Sequence, residues 1–295
     1  AQIEGEILQL NSVRASAARR LGLADGKKNK RDARAEATLN LLEGALQNSH
    51  RALSHQTLFD WQAALFPTGR SGTQKILTGA YRTHSEPMQI VTPRMGKPDL
   101  VHYQAPASED VRRHMDLFIQ WFNSSLGKQD GLVRVALAHL WFETIHPFED
   151  GNGRIGRALV EMALAQDLKT EQRLWSLSQQ IWHERSAYYE QLQSATSSAN
   201  MDVTPWVQWF VACIHKAADS SWGQMQSAMH KTRFWADLRE LHLSLTPSQS
   251  KAINKLYDAG PDGFSGGLST EKYVNLCGVS RATAYRELTA LCEAG

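Results

Sequence analysis

The sequence predicts a mainly α-helical protein with one short β-hairpin and a small helical domain at its C-terminal end. Apolar residues recur at three- and four-residue spacing along most of the 295 residues, which is the period of an amphipathic helix. Within the first two-thirds of the chain, residues 79–91 alone show two short extended runs around a turn. The helical pattern restarts after Leu245, because Thr246 can cap a helix that Pro247 begins.

The elements follow in order along the chain. The helical period predicts helices over residues 6–21, 32–47, 108–126, 132–144, 154 to beyond 164, 171–193, 203–222 and 224–243. A stretch rich in Gly, Pro, Ser and Thr predicts a loop over residues 66–75. We therefore divide the chain into an N-terminal helical region, a central core, a linker helix and a C-terminal domain, over residues 1–50, 51–222, 223–245 and 246–295.

The composition is that of a soluble globular protein, with 42% hydrophobic and 21% charged residues. The net charge of +2 gives no global argument for a nucleic acid or a membrane as partner. No apolar run approaches the ~20 residues that span a bilayer, and the first residues do not resemble a signal peptide. Three widely spaced cysteines suit a reduced compartment, so we predict a cytoplasmic protein.

The residues that carry chemistry are the twelve from 146 to 157, HPFEDGNGRIGR, here called the motif loop. A helical run ends just before it, Pro147 prevents its continuation, and a new helix starts around Arg154. Gly151 and Gly153 permit positive φ angles, so that backbone N–H groups can converge on one point. Because that point lies at a helix N-terminus, the loop predicts an anion site.

The charged side chains of the motif loop predict phosphoryl-type transfer. Arg154 and Arg157, three residues apart, project from one side of the new helix and suit a polyphosphate better than a single carboxylate. Asp150 is a hard oxygen ligand of the kind that Mg²⁺ on phosphates needs. His146 has an ordinary pKa near neutrality and is the natural general base. The alternative is a structural turn that carries two surface arginines.

The motif loop matches the signature of the Fic family, His-x-Phe-x-Asp/Glu-Gly-Asn-Gly-Arg-x-x-Arg, at every fixed position. Residues 59–72, 79–91 and 101–111 also resemble the Fic subgroup that carries a C-terminal helix-turn-helix. The resemblance implies a Fic helical core with a short β-hairpin flap, plus a C-terminal winged-helix-like domain. It further implies a protein adenylyltransferase, which moves AMP from ATP to a Ser, Thr or Tyr hydroxyl of a target protein.

The resemblance also implies roles for individual residues. His146 would deprotonate the target hydroxyl, Phe148 would anchor the loop in the core, and Asp150 would hold Mg²⁺. The remaining positions would bind ATP: Asn152 with the Gly151 and Gly153 backbone at the α- and β-phosphates, Arg154 along the phosphate chain, and Arg157 at the γ-phosphate.

The predicted hairpin, residues 79–91, corresponds to the flap of Fic proteins. The flap pairs with an extended segment of the target, which adds a strand through backbone hydrogen bonds. Arg82 and Met88 are the candidate target-docking contacts at its rim. The alternative is a buried hairpin with a purely structural role.

The N-terminus resembles the inhibitory helix that many Fic proteins carry. Glu4-Gly5 fits the second half of the inhibitory motif, which implies that Glu4 pairs with Arg157 and blocks productive binding of the γ-phosphate. Glu6 is the competing candidate, and an exposed glutamate in a first helical turn is the structural alternative. The same glutamate could instead position a water for removal of AMP from the target.

Residues 269–295 have the arrangement of helix-turn-helix DNA readers. Ser269 can cap a first helix, Gly278 can make the turn, and Ser280 can cap a second helix. Its candidate DNA contacts are Arg281, Thr283 and Arg286. The same fold also serves as a protein-interaction module, so DNA and protein are both open as partners.

Several alternatives share this scaffold. Fic relatives transfer UMP or phosphocholine, and the branch that transfers phosphate carries Lys where this chain has Gly153. A second class is a transcription regulator that uses the core as a nucleotide sensor, although an intact His146 argues against a pure sensor. Family habit suggests a homodimer, and no residue pattern in this chain indicates one.

Overall fold

The computed structural model describes Ile3 and residues 32–86, 88–92, 100–172, 175–197, 202–240, 244–259 and 267–293. These residues belong to two compact units, Ala1–Ala217 and Ala218–Gly295. The prediction of a mainly helical protein is confirmed. None of the described helices is both long enough and apolar enough to span a membrane.

The first unit is built from helices that begin at capping residues. In order they are α1 Ala33–Gln47, α2 His55–Leu65, α3 Ser108–Ser124, α4 Gly131–Ile145, α5 Asn152–Leu168, α6 Leu177–His183 and α7 Arg185–Ser197. Asp32, Ser54, Asp130 and Ser176 each accept a hydrogen bond from a backbone N–H of the first turn of α1, α2, α4 and α6. Each cap satisfies a donor that the helix itself cannot.

The next helix, α8, runs without a break over Thr204–Glu240. The prediction of two helices, over residues 203–222 and 224–243, was therefore wrong. The predicted gap lies at Gly223, where an added Cβ would meet nothing within 4 Å. A single glycine inside a helix costs only about 1 kcal/mol relative to alanine, which the rest of the helix offsets.

The centre of the first unit is the packing of α4 against α5. Nearly every residue of α5 from Asn152 to Ala165 is buried, as expected of a helix that is covered on all sides. Gly156 lets the two helices approach closely, because an added Cβ would collide with Glu143 and lie 3.2 Å from Nδ1 of His139. The motif loop, which joins these helices, is therefore held at both ends by the most buried part of the core.

Two antiparallel strand pairs lie in the described part of the first unit. β1 Arg70–Ser71 pairs with β2 Gln74–Lys75, within the stretch predicted as a loop. β3 Gln89–Thr92 pairs with β4 Leu100–Gln104, so that Gln89 lies opposite Gln104. Strand β3 of the second pair overlaps the end of the hairpin predicted over residues 79–91.

The predicted position of the hairpin, residues 79–91, was thus wrong in its first arm, which is not a strand. The backbone N–H of Gly79 donates to Oε1 of Gln62 at 2.7 Å, and that of Arg82 donates to the Pro147 carbonyl at 2.9 Å. These hydrogen bonds go to α2 and to the motif loop, so they are not available to a neighbouring strand. The sequence pattern identified an extended segment but not its partner.

The second unit contains α9 Pro247–Asp258, α10 Thr270–Cys277 and α11 Arg281–Glu293. The three helices meet at a small cluster of Ala252, Tyr273 and Ala284. Thr246 and Gln249 form a capping box at α9, and Gly278 ends α10 in the left-handed region with φ 71°. Because every element in the described part of this unit is a helix, its winged form stays a prediction.

Candidate active site

The motif loop makes two sharp changes of direction. His146 ends α4 in the left-handed conformation, with φ 47° and ψ 61°, while its N–H donates to the Phe142 carbonyl at 3.0 Å. Gly151, with φ 91°, then starts α5. A Cβ at Gly151 would lie 3.0 Å from the Phe66 ring, so both its conformation and its surroundings favour glycine.

The imidazole of His146 has a defined tautomer and a lowered pKa. Its Nδ1 lies 3.3 Å from the Glu143 carbonyl, and because a carbonyl can only accept, Nδ1 carries the proton and Nε2 keeps the lone pair. The side chain is 18% exposed. Burial lowers the pKa of His146 to about 4, and the Arg82 charge acts in the same direction. The imidazole is therefore neutral at physiological pH.

Asn152 and Phe148 fix the shape of the loop between its ends. Oδ1 of Asn152 accepts from the Phe148 N–H at 2.9 Å, and Nδ2 donates to the Phe148 carbonyl at 2.7 Å. The Phe148 ring is fully buried, with its centroid 5.4 Å from that of Tyr81. The side chain of Asn152 thus braces the loop, and its backbone N–H belongs to the first turn of α5.

The first turn of α5 combines donors and positive charge. The leading N–H groups of a helix, here those of Asn152 and Gly153, have no acceptor within the helix. Arg154 lies over the Phe66 ring, with Cζ 4.8 Å from its centroid. Arg157, one turn further, is likewise almost fully buried. A helix N-terminus flanked by two arginines is suited to a phosphate chain.

Asp150 lies beside this turn with its side chain 37% exposed. Its Oδ1 accepts from the Gly151 N–H at 2.5 Å, and its Oδ2 accepts from the Ser71 hydroxyl. Nη2 of Arg154 is 3.7 Å from Oδ1. The carboxylate is therefore held in place and still partly open to solvent.

The segment upstream of the site, residues 69–82, ties down the motif loop at three successive places. Ser71 binds Asp150, and the Leu77 N–H donates to Oε2 of Glu149 at 2.9 Å. Arg82 provides the third tie. The sequence analysis did not identify these contacts, because they join residues more than 60 positions apart and follow no local period.

Comparison with known proteins identifies this arrangement. Residues 52–164 match the model of the Fic/DOC family, and this range includes the whole motif loop. Residues 52–164 form a Fic domain. The chain is 26% identical to a protein from Nematostella vectensis named protein adenylyltransferase Fic, over 141 residues that make up 46% of this chain and 30% of that protein. The protein of the same name from Drosophila ananassae is 32% identical over 115 residues, 39% of this chain and 21% of that protein.

The chain spans less than a third of the length of these curated relatives. Solved structures show the same fold at low identity. A Fic family protein from Desulfovibrio desulfuricans G20 has a TM-score of 0.54 and 22% identity, over 97% of this chain and 74% of that one. A Fic domain containing signaling protein from Bacteroides thetaiotaomicron VPI-5482 has a TM-score of 0.54 and 19% identity, over 75% of this chain and 81% of that one.

In the Fic domain, Arg82 is not a docking contact, and that prediction was wrong. Its side chain is 2% exposed and lies against the motif loop, so it cannot reach a partner at the surface. Met88 is partly exposed, and its carbonyl accepts from the Ala105 N–H at 2.8 Å next to the β3–β4 pair. Within the described residues β3 has β4 as its one strand neighbour.

The proposed inhibitory residue Glu4, like Glu6, lies outside the described residues. Ile3, immediately before it, is buried. The Ile3 carbonyl accepts from Nε of Arg185 at 2.9 Å and from the Tyr189 hydroxyl at 3.4 Å, both on α7. Ile3 is therefore attached to α7 of the first unit.

The candidate DNA contacts lie on α11. Arg281 and Arg286 are exposed, whereas Thr283 is partly buried and its hydroxyl lies 2.9 Å from that of Ser280. Tyr285, 67% exposed, shares the exposed face with the two arginines and was not identified from the sequence. Its spacing of four residues from Arg281, which places both on one face of a helix, is the signal that could have identified it.

Proposed function

We propose that the Fic domain transfers AMP from ATP to a Ser, Thr or Tyr hydroxyl of a target protein. The observation that carries the proposal is a neutral His146, with its Nε2 lone pair available, on the same short loop as an arginine-flanked helix N-terminus. The adenylyltransferase names of the curated relatives support AMP as the group transferred. The domain would thus combine a base and a polyphosphate site.

In the proposed reaction, Nε2 of His146 accepts the proton of the target hydroxyl while that oxygen attacks the α-phosphorus. A new bond forms between the target oxygen and the α-phosphorus, and the bond from that phosphorus to the bridging oxygen of the β-phosphate breaks. Pyrophosphate leaves with that oxygen. The N–H groups at the start of α5, with Arg154 and Arg157, stabilise the charge that develops on the phosphate oxygens.

The proposed cofactor is Mg²⁺, and Asp150 is the residue that would hold it. Mg²⁺ at nucleotide sites takes one or two carboxylates, with phosphate oxygens and water as the other ligands. Asp150 fits, because its carboxylate is held by Gly151 and Ser71 yet remains partly exposed. No group of three or more His, Cys, Asp or Glu side chains suited to a metal occurs in the described residues. When bound, the ion would neutralise phosphate charge.

Two further features belong to this proposal. The target segment docks at the edge of β3 opposite β4, where Met88 is partly exposed, by addition of a strand. Glu4 inhibits the reaction by pairing with Arg157, and the proposal is supported by the attachment of Ile3, the residue before Glu4, to α7. Without this pairing, Arg157 would bind the γ-phosphate.

The other candidate function is a nucleotide-sensing DNA regulator. It is favoured by the helix–turn–helix order of α10 and α11 around the left-handed Gly278, and by the exposed Arg281, Tyr285 and Arg286. Transfer of UMP, phosphocholine or phosphate would use the same Fic domain. A homodimer remains a further expectation from the family.

One experiment separates these functions. The protein and its His146→Ala variant are incubated with ATP labelled on either the α- or the γ-phosphate, in the presence of Mg²⁺. Protein-bound α-label that disappears in the variant is the expected result. Bound γ-label would indicate phosphate transfer instead, and no label together with tight binding of duplex DNA would indicate the regulator.

A further inference from the structure

His146 holds an unfavourable backbone conformation. Among the described residues, it and Lys169 are the two that have positive φ without being glycine. The left-handed region is disfavoured for residues with a Cβ, because the Cβ comes too close to the following carbonyl. Such residues persist at functional sites when surrounding contacts hold them.

Arg82 contacts the backbone on both sides of His146. Its Nε donates to the His146 carbonyl at 2.8 Å, and its backbone N–H donates to the Pro147 carbonyl at 2.9 Å. Its Nη2 lies 3.4 Å from the Ile145 carbonyl. One residue therefore binds three consecutive carbonyls across the turn from α4 into the motif loop.

The rest of the guanidinium binds the start of α3. Nη2 donates to the Pro106 carbonyl at 2.6 Å, and Nη1 donates to the Ser108 hydroxyl at 2.9 Å. The Ser108 hydroxyl in turn donates to the His84 carbonyl at 2.5 Å. The fork of N–H donors on an arginine can make these contacts at once, which a lysine ammonium cannot.

These contacts account for a charge buried in the core. Arg82 is 2% exposed, and its hydrogen-bond partners among the described residues are all neutral oxygens. Arginine is rarely buried unless it is paired, since removal of its charge from water is costly. Here the dipoles of several carbonyls take the place of a carboxylate.

The neighbouring residue Tyr81 helps to hold Arg82 in position through its own contacts. The Tyr81 hydroxyl lies 2.7 Å from Nδ1 of His55, whose Nε2 lies 2.8 Å from Asp116. The Tyr81 ring also packs against Phe148 of the motif loop. Arg82 is thus set between α2, α3 and the loop.

We propose that Arg82 is a positioning residue for the base: its buried guanidinium holds the His146 backbone in the left-handed conformation and so directs the imidazole. The proposal rests on the proposed AMP transfer, because it assigns Arg82 to the same reaction. Arg82 itself does not touch the substrate in this role.

The test uses Arg82→Lys, which keeps the charge and the backbone N–H, and Arg82→Ala, which leaves a cavity. We expect kcat for α-label transfer to fall roughly 10²-fold in both, because misplacement of a reacting group by about 1 Å has an effect of that size. The KM for ATP should stay within a factor of about two, because the phosphate site lies on α5. Added guanidinium ion should restore part of the activity of Arg82→Ala and leave the activity of Arg113→Ala unchanged.

Arg113→Lys and Arg113→Ala are the matched controls, because Arg113 on α3 is 66% exposed and, among the described residues, its ion pair is with the nearby Asp110. Backbone chemical shifts of His146, measured by NMR on wild type and Arg82→Lys, test the conformation independently of activity. In Arg82→Lys, the backbone chemical shifts of His146 should no longer have the values typical of the left-handed region. Unchanged shifts, or an unchanged kcat in a folded Arg82 variant, would overturn the proposal. If the wild type transfers no AMP, the proposed function fails and the shifts alone decide on Arg82.

Discussion

At the scale of single residues, the site depends on side chains whose surroundings change their chemistry. His146 is the clearest example, since burial keeps its imidazole neutral well below the pH at which an exposed histidine is protonated. The bond from Nδ1 to the Glu143 carbonyl leaves Nε2 as the basic nitrogen. In the proposed reaction, a neutral imidazole can accept the proton of the target hydroxyl without first losing one of its own.

This state of His146 predicts a pH dependence of stability. Its pKa is about 4 in the folded protein and 6.5 as the ordinary value, so the unfolded chain binds a proton that the folded protein does not. The contribution of His146 to stability is therefore intact above pH 6.5 and is lost progressively as the pH falls towards 4. When the pH falls from 7.5 to 5, protonation of His146 in the unfolded chain should lower the free energy of unfolding by about 2 kcal/mol.

The measurement compares the wild type with His146→Asn by denaturant unfolding at several pH values. Asparagine tolerates the left-handed conformation, so the variant should keep the shape of the loop. We expect the free energy of unfolding to fall less steeply below pH 6.5 in the variant. Equal slopes for both proteins would contradict the lowered pKa.

At the scale of elements, the motif loop is positioned by the helices on either side of it and by the segment 69–82. The spacing of apolar residues predicts helices α4 and α5, and the residues of the motif loop predict the loop between them. The hydrogen bonds from Ser71, Leu77 and Arg82 to the loop cannot be predicted in this way, because they join distant parts of the chain.

The hairpin shows the same limit of sequence reasoning. Periodicity indicates that a segment is extended, but it does not say which strand lies beside it. The backbone N–H groups of Gly79 and Arg82 donate to Gln62 and to the motif loop, respectively. Strand β3 pairs with β4 further along the chain. Arg82 looked like a rim contact for this reason, although it is buried.

The N-terminal segment gives a prediction at this scale. Ile3 is bound to α7, where Tyr189 packs against Tyr188 with ring centroids 5.1 Å apart. The Tyr188 hydroxyl lies 3.2 Å from Nε2 of His139, which packs near Gly156, the residue before Arg157. If Glu4 occupies Arg157, then Glu4→Gly should raise self-labelling with AMP roughly 10- to 100-fold, the equivalent of one charge-assisted hydrogen bond.

Glu6→Gly is the matched control, since it removes the same charge two positions away. We expect it to label at the wild-type rate, as measured by incorporation of α-labelled ATP over time. A larger increase in Glu6→Gly would transfer the inhibitory role to Glu6. No increase in either variant would reject inhibition by this segment.

At the scale of the whole molecule, two hydrophobic clusters of very different size divide the chain. The first unit has one extended core that includes the helices around the motif loop, whereas the second unit has a small cluster at Ala252, Tyr273 and Ala284. Stability depends on the apolar surface that each core buries, so the two units should differ in stability.

Differential scanning calorimetry should therefore show two unfolding transitions, with the second unit unfolding at the lower temperature. The proposed nucleotide site lies wholly in the first unit, so Mg²⁺ and ATP at 100 times Kd should stabilise that unit alone by about 2.7 kcal/mol. This corresponds to an increase of about 5–10 °C in the Tm of the later transition, with the earlier one unchanged. The double variant Arg154→Ala, Arg157→Ala should lose the increase, because it removes both guanidinium groups from the phosphate site. A single transition that moves as a whole, or an equal increase in both transitions, would contradict separate units with one nucleotide site.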